Sequence, residues 1–170
     1  MSCRRQLLIL LFALTSFTFS IAQNPIVTEN ALPGNPSSEW DVSGAGDLNM
    51  QGFATDISVN KGQRVNFKIN TSSSFTYTVR IYRLGYYQGN GARLITNLGT
   101  YTGTVQPPPN SNTTTGLVDC GTWSISAFWD VPATTVSGVY IAKLARTSNP
   151  SQSSHIVFIV RDDASTSDLL

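Results

Sequence analysis

The sequence predicts an all-β fold, an antiparallel sandwich of two sheets with about seven strands, and three observations predict it. Between residues 53 and 163 apolar and polar residues alternate with a period of two. Turn residues interrupt that alternation at short intervals, and no segment repeats apolar residues at helical spacing. The composition allows a buried core: 41% of the 170 residues are hydrophobic and 10% aromatic, against only 12% charged. Lys and Arg number 11 and Asp and Glu 10, with no basic run, so the chain lacks the electrostatic footprint of a nucleic-acid binder.

The first 22 residues read as a signal peptide. Arg4 and Arg5 are its basic start, Leu7 to Leu14 its apolar run, and Ser20-Ile21-Ala22 a small-x-small cleavage pattern. Arg4-Arg5-Gln6-Leu7-Leu8 also fits a minimal twin-arginine signal, so the export route stays open between two pathways. Thr15, Ser16, Thr18 and Ser20 break the run short of a membrane span, so the expected product is secreted or periplasmic, with no stable membrane insertion. Removing 22 of the 170 residues leaves 148, with Cys120 as the one cysteine and no intrachain disulfide.

Residues 23–52 form a Pro-, Gly- and Asn-rich strap without a period, stiffened by Pro25, Pro33 and Pro36. The sandwich is expected over 53–163. Ile57 and Val59 alternate before a turn at Asn60-Lys61-Gly62, then Val65, Phe67 and Ile69 point one way. Tyr77, Val79 and Ile81 continue the pattern until Gly85, Gly89 and Gly91 break it. Leu94 to Tyr101 is a further strand, and Pro107-Pro108-Pro109 opens an exposed excursion. Trp123, Ile125, Ala127 and Trp129 share one face, Gly138 to Arg146 follows, and His155 to Arg161, apolar on both faces, should be internal or closely covered, with His155 at its start. Ser137-Gly138-Val139-Tyr140-Ile141-Ala142 has the spacing of a tyrosine corner, which makes the expected sandwich immunoglobulin-like, with Ala142 where antibody domains carry a cysteine. Residues 164–170 would begin a linker to a downstream domain.

Few residues could carry chemistry. Glu39, Asp41 and Asp47 are weak candidates for a hard cation, because carboxylates in turns commonly accept backbone N–H groups. The loop from Tyr82 to Arg93 packs aromatic rings, arginines and glycines together, so Trp40, Tyr86, Tyr87 and Arg93 are the candidate contact surface for a sugar or another surface ligand. There is no phosphate loop, no serine elbow and no pair of histidines for zinc, since His155 is the only histidine. The chain alone is therefore not expected to be a complete enzyme, and no catalytic residue is assigned.

Several long motifs are familiar. The runs Glu29 to Asp41, Gly44 to Asp47, Gln51 to Asn60 and Ile81 to Tyr87, and later Gly138 to Leu144 and Ser154 to Asp163, resemble the N-terminal region of secreted bacterial proteins related to the large (beta) subunit of N,N-dimethylformamidase. The resemblance implies a non-catalytic module that supports, or guides substrate to, a downstream amidohydrolase-like domain acting on small N-substituted amides. It also implies an iron cofactor held by tyrosine and glutamate side chains in that downstream domain, and none in this chain. The alternative is a free-standing extracellular binding module for glycan or another surface ligand, and a third reading is a complete small hydrolase.

Overall fold

The alternation Val65, Phe67, Ile69 and Thr71 is a buried row in the structure, with the residues between them half-buried or exposed. The computed structural model describes residues 24–166. In chain order the strands are β1 (Met50–Ala54), β2 (Ser58–Asn60), β3 (Arg64–Thr71), β4 (Thr76–Leu84), β5 (Ala92–Thr102), β6 (Asn110–Asn112), β7 (Leu117–Asp119), β8 (Ala127–Asp130), β9 (Gly138–Arg146) and β10 (Asn149–Arg161). Helix α1 (Pro25–Asn30) and helix α2 (Ser37–Trp40) precede them. The expected leader lies outside the described residues.

The strands form a three-stranded sheet in the order β1-β3-β8 and a five-stranded sheet in the order β2-β10-β9-β4-β5. Their inner faces share one core. Phe67 and Trp129 from the smaller sheet meet Phe158 and Tyr140 from the larger, with ring centroids 5.5 Å apart for Phe67 and Phe158 and 5.8 Å apart for Trp129 and Tyr140. Such tilted and edge-on pairs add to the apolar area they bury. The Tyr140 hydroxyl donates to the Val136 carbonyl four residues upstream, the bond the corner motif predicts.

The structure departs from the sequence reading in five places. The sandwich is not wholly antiparallel, because β2 pairs in parallel with β10. β2 is reached by crossing from the other sheet rather than through a hairpin, so its direction is not set by a tight turn. The strap is not all loop: Asn24 caps α1 through its side chain with Pro25 in the first turn, α2 follows, and β1 already begins at Met50. The excursion after Pro109 is exposed as expected but folds on itself as the β6–β7 ribbon. Trp123 and Ile125 lie before β8; the Trp123 indole N–H reaches the Pro107 carbonyl at 2.9 Å, its ring packs 5.8 Å from Phe53, and Ile125 is exposed. Finally, β10 begins at Asn149, so His155 sits mid-strand. β10 is internal as expected, between β2 and β9, while Val157 and Ile159 on its outward face stay exposed.

Candidate functional site

The strap lies on the outer face of the five-stranded sheet and across one end of the sandwich. At that end α1 delivers Glu29, a buried carboxylate whose Oε1 accepts from the Tyr87 hydroxyl at 2.9 Å and from Arg93 Nε and Nη2 at 2.8 and 2.6 Å. Arg83, 3% exposed, donates to the Tyr87 hydroxyl at 3.0 Å and to the Ser137 carbonyl through Nη2 at 2.9 Å. Gly138 leaves room for it, since a Cβ there would stand 3.0 Å from the Arg83 guanidinium. Burial pushes the Tyr87 phenol up; the Arg83 hydrogen bond opposes that shift and the Glu29 carboxylate adds to it. Tyr87 and Gln88 both adopt positive φ, 41° and 59°, a costly choice for non-glycine residues that the surrounding network holds in place.

On the outer face, Trp40 at the end of α2 packs against Tyr82, Ala92 and Ile141 in a small second core. Its indole N–H is shared between the Asn35 and Asn90 carbonyls, both at 3.1 Å. The ring lies over Gly91, where φ is +81° and a Cβ would come within 2.9 Å of it, so glycine is required twice over. The carbonyls leaving α2 are seated on a row of sheet residues. Lys143 Nζ donates to the Glu39 and Asp41 carbonyls at 3.1 and 2.9 Å, and His155 Nε2 lies 2.5 Å from the Trp40 carbonyl. A carbonyl only accepts, so this nitrogen carries the proton. Burial, with Lys143 beside it, holds His155 below the usual histidine range, against the opposing hydrogen bond to Trp40.

The candidate contact residues thus have different fates. Tyr87 is wholly buried, Trp40 clasps the strap, Arg93 is paired with Glu29, and Tyr86 alone is widely exposed, at 70%. Tyr86 borders a shallow depression of about 330 Å³ with Val27, Ala31, Asn30 and Gln88. The three candidate metal carboxylates do not converge. Glu39 takes the Asn35 amide at 2.9 Å, Asp41 takes the Val42 N–H at 2.8 Å, and Asp47 takes Asn49 through backbone and side chain at 3.0 and 3.1 Å. Among the described residues, no three of His, Cys, Asp and Glu stand close enough to hold a metal ion together.

Sequence reasoning missed the row Arg80, Lys143 and His155, which are direct neighbours across β4, β9 and β10. Arg80 falls between Val79 and Ile81 and so on the opposite face of β4, but only the pairing register aligns the three. With α2 above them, Arg80 and Lys143 of this row line a groove of about 490 Å³.

Fold and site together define a β-sandwich module whose outer face is occupied by its own N-terminal strap. The chain belongs to the N,N-dimethylformamidase beta subunit-like family: the family model described as "N,N-dimethylformamidase beta subunit-like, C-terminal" matches residues 78–170, more than half of the chain. The match runs from within β4 and takes in the motifs at 81–87, 138–144 and 154–163, while those at 29–60 lie outside it. That description refers to the C-terminal part of such proteins, whereas the sequence reading placed the chain at their N-terminal end. No curated protein matches the chain. Among the described residues no helix is long and apolar enough to cross a membrane.

Proposed function

We propose that the chain is a non-catalytic, immunoglobulin-like N-terminal module of a secreted dimethylformamidase-like protein, exported by the leader at 1–22, which supports a downstream catalytic domain or guides substrate to it. The observation that carries this reading is that the groups hydrolysis would draw on are spent on holding the strap. His155 is committed to the Trp40 carbonyl and Tyr87 to Glu29. Burial also pushes the Tyr77 phenol up to about 12 and raises Tyr140 further, which disfavours both as bases or metal ligands. The exposed apolar residues Val139, Val157 and Ile159 on the outer face offer surface for a neighbouring part of the same protein to cover.

Iron, in this reading, belongs to the downstream domain. The tyrosine–glutamate contact of this chain, Tyr87 with Glu29, has Arg83 and Arg93 on the same oxygens, and two guanidinium groups there do not suit a cation. The purified chain, given ferrous iron and N,N-dimethylformamide, should release no dimethylamine, while the longer protein encoded through and beyond the Leu170 codon should release it. Turnover by the chain alone overturns the reading, and a stop codon directly after Leu170 removes the downstream domain from it. N-terminal sequencing of the exported protein should begin at Gln23 or Asn24.

A second reading, a glycan-binding module, is favoured by Tyr86, an exposed ring that borders the same depression as Asn30 and Gln88 and whose backbone N–H donates to the Asn30 side chain. Glycan-array binding that disappears in Tyr86→Ala would support it.

A further inference from the structure

The groove between α2 and the five-stranded sheet contains an arrangement that strap fastening alone does not explain. Arg80 on β4 and Lys143 on β9 are direct cross-strand partners on the outer face. Like charges placed opposite one another destabilise a sheet. Neither takes part in any of the four ion pairs among the described residues. Two of the three Lys143 donors are used on the Glu39 and Asp41 carbonyls, which leaves the third, and the Tyr82 hydroxyl, which donates to the Glu39 carbonyl at 3.3 Å, lies close to Arg80. Lys143 is 7% exposed, so this positive charge is sheltered from the water that would otherwise screen it.

We propose that the groove is a binding site for a small organic carboxylate, gripped by Arg80 with Lys143 beneath it. The planar Arg80 fork matches a carboxylate through two parallel hydrogen bonds. Ser38, Ser43 and Ser153 line the same space and can supply neutral donors, and Val42 and Pro150 give it an apolar wall for the rest of the ligand. A volume of about 490 Å³ is that of a small-molecule pocket rather than of a macromolecular interface. Glu39 and Asp41 also line the groove, so the lining carries two positive and two negative side chains. That balance favours a singly charged carboxylate over a doubly charged sulfate or phosphate, which the two acids would repel.

The test is a titration of the purified, isotope-labelled protein with sodium propionate, sodium sulfate and sodium chloride at matched ionic strength, followed by amide chemical shifts. Propionate should give saturable shifts at Val42, Ser43, Ala145 and Ser153. Arg80→Gln should weaken that binding at least tenfold, and Arg80→Lys, which keeps the charge but not the fork, should fall between. Arg80→Gln removes one of two opposed like charges, so its melting temperature should hold or rise, which separates lost binding from lost folding. Shifts that chloride reproduces, binding unchanged in Arg80→Gln, or sulfate binding as tight as propionate would each overturn the proposal.

Discussion

At the scale of single residues, Glu29 and His155 are the most consequential groups outside the core. Glu29 is a buried acid that joins α1 to β5 and to the Tyr87 turn through one oxygen. Replacing it with Ala leaves the buried Arg83 and the half-buried Arg93 without a counter-charge nearby. Losing one partner of such a pair costs about 3 kcal/mol. Arg93→Ala should cost less, about 1 kcal/mol, because its side chain is 28% exposed and partly screened. Urea unfolding of both variants checks the order, and an equal or larger loss in Arg93→Ala would overturn it. His155 gives a pH signature. Its folded-state affinity for a proton is lowered, so the unfolded chain takes up the proton first, and stability is full above the unfolded value near 6.5 and falls as pH drops through it. His155→Gln should flatten the stability profile between pH 5.5 and 7.5; an unchanged slope would remove His155 as its source.

At the scale of elements, the strap is held by Trp40, by the α2 carbonyls on Lys143 and His155, and by the bridge from Asn35 to Ala92. None of its side chains before Met50 belongs to the main core, so that part should open as a unit of its own. Trp40→Ala should make residues 31–49 sensitive to limited proteolysis while the near-ultraviolet signal of the Trp129 core persists; loss of both together would make the strap part of the cooperative fold. The alternating strands were legible because their period records burial directly: Val65, Phe67 and Ile69 face the core, as do Tyr77, Val79 and Ile81. β1 was not, since Gln51 and Gly52 carry no such signal and its place is set by pairing with β3. The two helices of the strap are too short to show a period. At the site, Tyr86, Tyr87 and Arg93 could be found as a local cluster, but the bonds from Glu29 to Tyr87 and from Trp40 to Asn90 span more than 45 residues and leave no local trace. β5, one edge of the five-stranded sheet, carries no charge from Leu94 to Thr102, and two irregularities in its register against β4 interrupt an open edge of the kind that recruits another strand.

At the scale of the whole molecule, the question is whether the two sheets unfold as one body, and β10 offers a direct comparison. Phe158 and Val157 are adjacent on that strand and point to opposite faces. Phe158 is 1% exposed and touches Phe67, Trp129 and Tyr140, whereas Val157 is 61% exposed. Phe158→Ala removes a ring that both sheets share and should cost about 3–5 kcal/mol. A domain of this kind holds only about 5–15 kcal/mol in total, so that single change takes a large fraction of it. Val157→Ala should stay within about 0.5 kcal/mol, since it leaves the core intact. In the parent protein, far-ultraviolet dichroism and tryptophan fluorescence should report one coincident unfolding transition, because Trp129 on the smaller sheet and Phe158 on the larger one belong to the same cluster. Phe158→Ala should move both signals together to lower denaturant. If they separate, or if the two substitutions cost the same, the sheets do not share a single cooperative core and the sandwich consists of two units that melt independently.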